Sequence, residues 1–114
     1  VLREAILPLQ EHISLAFIFG SVAQGTERIS SDIDVMVIGS TSFEDVVRAL
    51  YTAHETLRRE VNPVVMSAGV FNDKFLQGDR FVSRIVREPR IFLKGGEDDL
   101  GELVVDWPNQ GAPA

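Results

Sequence analysis

Two apolar segments joined by a short polar connection constrain this chain more than any other feature. Residues 15–19 (LAFIF) and 32–38 (DIDVMVI) are predicted to be buried strands, because each is a short apolar run next to turn-forming residues. Gly20 and Ser21 follow the first strand, and Asp32 and Asp34 open the second. A glycine turn and a carboxylate pair are therefore expected side by side on one sheet.

The rest of the pattern predicts one small sheet covered by helices. A helix is expected over residues 2–12, disturbed at Pro8. A longer helix follows a capping box formed by Thr41 and Glu44. Its predicted apolar stripe contains Phe43, Val47, Leu50, Tyr51, His54 and Leu57. Residues 61–66 and 90–93 are predicted strands with two short helices between them, and Pro63 favours a sheet edge. This order indicates an α/β (α+β) fold.

The composition excludes several classes of protein. A net charge of −6 disfavours a domain that holds a nucleic-acid duplex unaided, and the absence of Cys excludes disulfides and thiolate zinc sites. No apolar run is long enough for a membrane helix, and no signal peptide is recognisable, so a cytoplasmic protein without membrane contacts is expected. The start without Met suggests a piece of a longer protein. Residues 1–96 are predicted to form the domain, and residues 97–114 an acidic, then loop-like, flexible tail.

Gly20 and Ser21 form a candidate phosphate-binding turn. A strand that enters a helix through a glycine exposes backbone N–H groups, and the Ser21 hydroxyl adds a donor. Arg28, in the same connection, is a further candidate for phosphate contact. The alternative is an ordinary helix cap and a solvated arginine.

Asp32 and Asp34 form a candidate metal site. Side chains alternate along a strand, so these two carboxylates point to the same side. Two neighbouring carboxylates repel each other unless a cation lies between them, and hard oxygen ligands suit Mg²⁺ with substrate phosphates. The alternative is a turn at Asp32 with Asp34 solvated.

The combination of Phe19-Gly20-Ser21 with Ser31-Asp32-Ile33-Asp34 after about ten residues resembles the DNA polymerase beta-like nucleotidyltransferase superfamily, in particular its minimal domains. The likeness extends over residues 5–95. It implies a nucleotidyltransferase fold with a small mixed sheet of about four strands flanked by helices. It also implies Mg²⁺-dependent transfer of a nucleoside monophosphate from a triphosphate, with ATP as first candidate, to a hydroxyl acceptor.

Asn62 departs from the family pattern. The resemblance implies a third catalytic acid on the strand after the long helix, where this chain has Asn62, with Glu60 two residues earlier as a substitute. An amide cannot accept a proton as a base. Two alternatives to an enzyme therefore stay open: a nucleotide-binding regulatory module, joined to a DNA-binding segment or paired with a helical toxin–antitoxin partner, and a relic without ligands. The apolar tail and the strand with Pro63 also leave dimerisation open, whichever function applies.

Overall fold

The computed structural model describes residues 2–20 and 32–104. The described elements are α1 (Leu2–Ala5), a 3-10 helix (Leu7–His12), β1 (Ile13–Phe19), β2 (Ile33–Gly39), α2 (Phe43–Leu57), β3 (Val61–Met66), α3 (Ala68–Leu76), α4 (Arg80–Ile85), β4 (Ile91–Lys94) and α5 (Glu97–Val104). Among these helices none is both long enough and apolar enough to cross a bilayer.

The four described strands form one mixed sheet in the order β3-β2-β1-β4. β1 is antiparallel to both β2 and β4, whereas β2 and β3 run parallel and are connected through α2. The parallel pair aligns Asp34 with Asn62, and the antiparallel pair aligns Asp34 with Phe19. The predicted α/β sandwich and the edge position of Pro63 are both confirmed.

Alternating strand residues divide the core into two layers. One face packs against α1 and α2 through residues such as Ile18, Val35 and Val37, and the opposite face packs against α3, α4 and α5 through Phe17 and Met36. The central strands are apolar on both faces because helices cover both sides. Polar side chains are therefore restricted to the strand ends, which is where Asp32 and Asp34 lie.

The N-terminal segment is not the single helix that the sequence predicted. α1 ends at Ala5, and the chain continues as a 3-10 helix in which Pro8 occupies the first turn. Proline has no N–H, and its ring clashes with the carbonyl of an α-helix four residues back. Pro8 therefore acts as a break between two helical segments.

The orientation of α2 differs from the prediction. Ser42, not Thr41, is the N-cap, and its Oγ accepts a hydrogen bond from the Asp45 N–H at 3.1 Å. The buried residues of the helix are Val46, Leu50 and Ala53, whereas Phe43, Val47, Tyr51 and His54 are exposed. Of the predicted stripe, Leu50 and Leu57 do pack in the core, so the prediction is confirmed for these two residues and wrong for the other four.

The folded unit extends beyond residue 96. Residues 97–104 form α5, which packs on the sheet through buried Leu100 and accepts a hydrogen bond from Asn72 Nδ2 at the Leu103 carbonyl, at 2.6 Å. Arg90, just before β4, donates from Nη1 to both carboxylate oxygens of Glu97 at 2.6 and 2.9 Å. The predicted start of the tail at residue 97 is therefore too early, and residues 105–114 lie outside the described residues.

Candidate active site

Gly20 and Asp34 lie against each other where β1 ends. Gly20 has a φ of +78°, and a β-carbon at this position would lie 2.6 Å from Oδ2 of Asp34. Both facts favour glycine, because a side chain would be strained by the backbone and would collide with the carboxylate. Gly20 therefore allows the chain to leave the sheet directly beside Asp34.

Asn62 brings the second carboxylate into the same cluster. Asp32 directly precedes β2 and shares the strand parity of Asp34, and Asn62 lies beside Asp34 on β3. Asn62 Nδ2 donates a hydrogen bond to Oδ2 of Asp32 at 3.3 Å. The structure thus places Asp32, Asp34 and Asn62 together at one end of the two parallel strands.

The surroundings of Asp34 disfavour its negative charge. Partial burial raises the pKa of Asp34, and the neighbouring Asp32 charge raises it further. The Asn62 amide and the Arg84 guanidinium each act to lower the same pKa, but they do not offset the other two effects. Ionisation of Asp34 is therefore less favourable in the folded protein than in a free aspartate, and a nearby cation would favour it.

Arg84 of α4, which pairs with Glu88 at 3.6 Å, is a further basic residue whose charge reaches Asp34. Phe81 of α4 packs edge-on against Phe19 with ring centroids 5.7 Å apart, and Arg84 lies 5.9 Å from the Phe81 ring centroid. Since Phe19 pairs with Asp34, this packing brings Arg84 into the field of the carboxylates. In the sequence, Arg80, Arg84 and Arg87 share one helix face, but their spacing does not show which residues that face meets.

A third acidic ligand is missing from the part of the site that the structure describes. Within residues 2–20 and 32–104, no group of at least three His, Cys, Asp or Glu residues could hold a metal ion. Glu60, the proposed substitute, is exposed and joins β2 through its carbonyl, which accepts from the Ile33 N–H at 2.8 Å. Ser21 and Arg28 lie outside the described residues, so their candidate roles stay predictions.

The cluster lies in a part of the chain that matches a known protein family. The model of the family described as "Polymerase beta, Nucleotidyltransferase" matches residues 4–84. The chain belongs to this nucleotidyltransferase family. The match contains Gly20, both aspartates, Asn62 and Arg84, so the whole described cluster lies within the family region. No curated protein matches the chain.

Solved structures show the same fold for this nucleotidyltransferase-family domain. A crystal structure of a toxin-antitoxin with AMP-PNP is similar with a TM-score of 0.57 and 18% identity, over 96% of this chain and 86% of that chain. Two structures of mutant forms of the toxin-antitoxin MntA-HpeT have TM-scores of 0.57 and 0.56 and identities of 18% and 19%. They cover 94% of this chain and 81% and 80% of their own chains. At these identities the likeness shows the fold alone.

Members of the nucleotidyltransferase family are typically metal-dependent, and the donor set here fits one hard cation. Asp32 and Asp34 offer carboxylate oxygens, and Mg²⁺ commonly uses one or two carboxylates together with substrate phosphates. The close approach of Gly20 leaves room beside Asp34 that a β-carbon would fill. The side chains present are therefore compatible with a single Mg²⁺, whereas a second ion would lack the third carboxylate.

Proposed function

We propose that this domain binds a nucleoside triphosphate with Mg²⁺ and transfers the nucleoside monophosphate to a hydroxyl group. The observation that carries the proposal is the contact of Gly20 with Asp34, next to a second carboxylate and beside a parallel strand pair. Membership of the nucleotidyltransferase family supports the same reaction class. ATP is the first nucleotide to test, because AMP-PNP accompanies a protein of this fold.

The residues divide between phosphate and metal binding. Gly20, Ser21 and Arg28 would contact the phosphates, and Asp32 and Asp34 would hold Mg²⁺. The bound ion would neutralise phosphate charge and polarise the phosphoryl oxygens. Arg84 would add positive charge on the side of Asp34.

The reaction needs a proton acceptor that the described site does not provide at position 62. The acceptor oxygen forms a bond to the α-phosphorus, the bond to the bridging β-phosphate oxygen breaks, and pyrophosphate leaves. The hydroxyl proton passes to solvent, because Asn62 cannot accept it. A positioned base typically contributes about 10²–10⁴-fold to such a step, so slow turnover is expected.

A regulatory module that binds the nucleotide without turnover is the second candidate, and Asn62 is the observation that favours it. The Asn62 amide donates to Asp32 and so occupies a carboxylate oxygen instead of supplying a base. Proteins of this fold are found in toxin-antitoxin complexes. A helical partner chain or a fused DNA-binding segment would then respond to whether this domain has nucleotide bound.

Binding and turnover are separated by one set of measurements. ATP is titrated calorimetrically with and without Mg²⁺ into the native chain and into Asp32→Ala. Pyrophosphate release and transfer of α-labelled phosphate are then followed with water, glycerol, tRNA and unfolded casein as hydroxyl sources. Asn62→Asp and its matched control Asn62→Ala are measured in parallel.

The expected result is Mg²⁺-dependent binding that Asp32→Ala abolishes, with slow pyrophosphate release that Asn62→Asp accelerates and Asn62→Ala does not. Binding without release in either the native chain or Asn62→Asp would overturn transfer and leave the regulatory module. An absence of ATP binding to the native chain at millimolar concentration would overturn both candidates.

A further inference from the structure

A groove lies between α3 and α5, on the face of the sheet opposite α2. It has a volume of about 210 Å³ and is lined by Ala68, Gly69, Asn72 and Leu103. A β-carbon on Gly69 would meet no neighbouring atom closer than the Ser67 Oγ, at 4.0 Å, so the groove is open at this point. Small residues on one helix leave a space that a large side chain from elsewhere in the chain can fill.

The volume of the groove suits one aromatic side chain. An apolar cavity of ~150 Å³ accommodates benzene, and an indole is larger by one fused ring. Asn72 is the one lining residue with a polar side chain, and it is 9% exposed. A group that fits this groove is therefore mainly apolar and carries one hydrogen-bonding atom.

Asn72 uses the donor side of its amide within the fold. Its Nδ2 donates to the Leu103 carbonyl at 2.6 Å. If α5 continued, that carbonyl would accept from the N–H of residue 107, because helical hydrogen bonds join residues four apart. Asn72 therefore offers the end of α5 a donor that does not come from the next helical turn. The Oδ1 atom of the same amide is an acceptor, which suits a group that only donates, such as an indole N–H.

The segment that follows α5 contains such a group close to the groove. Residues 105–114 (VDWPNQGAPA) lie outside the described residues and contain Trp107, the sole tryptophan of the chain. Trp107 comes three residues after Val104, the last residue of α5, so their Cα atoms are at most about 11 Å apart. Pro108 disfavours a helical conformation of Trp107, so α5 is not expected to continue through it.

We propose that the indole of Trp107 occupies the groove between α3 and α5 and donates its N–H to Oδ1 of Asn72. Buried tryptophans usually have a hydrogen-bond partner for this N–H, and the groove provides one. Trp107 is the one residue of the segment 105–114 that combines a large apolar surface with a single donor. The segment then turns back at the end of α5 and covers the beginning of α3.

Two physical terms favour this contact over an exposed tryptophan. An empty groove and a solvated indole would leave two apolar surfaces in water, and docking removes both. The short connection from Leu103 to Trp107 makes the contact intramolecular, so the effective concentration of the indole at the groove is high. A separate chain would have to compete with a side chain that is already tethered there.

The inference does not depend on nucleotide binding. Gly20, Asp32, Asp34 and Asn62 do not line the groove, and the contacts that support it belong to α3 and α5. Failure of the proposed function would therefore leave the inference intact, and the reverse also holds.

Nuclear magnetic resonance of the full chain tests the contact without a substitution. Trp107 is the sole tryptophan, so its indole signals can be assigned directly. Nuclear Overhauser effects are expected between the indole protons and the Ala68 methyl group, which is far from Trp107 in the sequence. The Ala49 methyl group of α2, on the opposite face of the sheet, is the matched control and should show none. A spectrum without the effect to Ala68 would overturn the proposal.

Fluorescence of Trp107 provides the second measurement. The native chain should emit at shorter wavelength than the urea-unfolded chain and be quenched less by acrylamide, at every protein concentration. Gly69→Leu fills the groove and should abolish both differences. Val70→Leu introduces the same side chain at the next position of α3, which is 44% exposed and does not line the groove, and should preserve both. Circular dichroism establishes that the two variants are folded.

Three fluorescence results would contradict the proposal. The first is a native tryptophan that acrylamide quenches as strongly as in the unfolded chain. The second is an equal response of Gly69→Leu and Val70→Leu, which would mean that the indole is buried elsewhere or exposed. The third is a protection that is lost on dilution, which would assign the groove to the tryptophan of a second copy.

Discussion

A β-carbon on Gly20 would lie 2.6 Å from the Oδ2 atom of Asp34. This contact ties the turn after β1 to a carboxylate of β2, so the position of one limits the position of the other. Because Gly20 has no β-carbon, the carboxylate of Asp34 can lie directly against the turn. The metal and phosphate roles proposed for the two residues are therefore linked by packing.

Gly20→Ala should reduce Mg²⁺–ATP affinity by at least about tenfold, equivalent to ~1.4 kcal/mol, because Asp34 must move. Gly78→Ala is the matched control: Gly78 has a φ of +76°, and a β-carbon there would meet nothing within 4 Å. Both variants should lose about 1 kcal/mol of unfolding free energy through backbone strain. Calorimetric titration and urea unfolding measure the two effects, and equal ATP affinity for both variants would contradict the prediction.

Asp34→Asn should stabilise the metal-free protein at neutral pH. Burial and the Asp32 charge raise the pKa of Asp34 above its ordinary value of 3.8. The folded state therefore binds more protons than the unfolded state just above that value, and stability falls as the pH rises through this window. The advantage of the variant should vanish at more acidic pH, where Asp34 is protonated in both states.

Thermal unfolding with EDTA or with Mg²⁺ over a pH series tests the Asp34 prediction. Mg²⁺ should raise the melting temperature of the native chain and leave that of Asp34→Asn unchanged, because the variant lacks a carboxylate ligand. Asp73→Asn, on an exposed position of α3, serves as the control. A metal-free Asp34→Asn that melts below the native chain at neutral pH would show that the carboxylate stabilises the fold.

Arg84→Ala should separate metal binding from nucleotide binding. The guanidinium adds positive charge beside Asp34, so its removal should weaken binding of the polyanionic Mg²⁺–ATP about tenfold. Mg²⁺ alone, which the same charge repels, should bind at least as well as before. Arg87→Ala, one turn further along the chain, is the control and should change neither affinity appreciably. If Arg84→Ala weakened binding of Mg²⁺ alone as well, a structural effect on the site would explain the result.

Arg90→Ala should destabilise the fold by ~2 kcal/mol. Arg90 is 12% exposed in its side chain, donates to both oxygens of Glu97, and also donates to the Val86 carbonyl at 2.7 Å. Arg48→Ala removes an exposed ion pair within α2 and should cost at most about 0.5 kcal/mol. Urea unfolding compares the two, and similar losses would mean that Arg90 does not anchor α5.

Strand alternation and turn chemistry were sufficient to predict the two carboxylates and the glycine turn of the candidate site. The parity of Asp32 and Asp34 puts them on one side of β2, and a glycine after β1 indicates a tight turn. Arg84 could not be assigned in the same way. Its place depends on the packing of Phe81 against Phe19, two residues from distant parts of the chain.

The long helix shows where local patterns stop being sufficient. Phe43, Val47 and Tyr51 have the spacing of a buried stripe, yet Val46, Leu50 and Ala53 face the sheet. Both sets are apolar, so periodicity alone cannot choose between them. The contacts of Val46, Leu50 and Ala53 with the sheet distinguish the two sets, and Phe43, Val47 and Tyr51 stay exposed.

By itself the sequence determined the two-faced sheet, the family and the residues at the ends of β1 and β2, because strand parity, apolar runs and glycine turns are local properties of the chain. The tertiary structure decided the rest: the break at Pro8, the rotation of α2, the inclusion of α5 in the fold and the approach of Arg84 to Asp34. These features depend on which surfaces fit together at close range, and that fit arises from contacts between residues far apart in the chain.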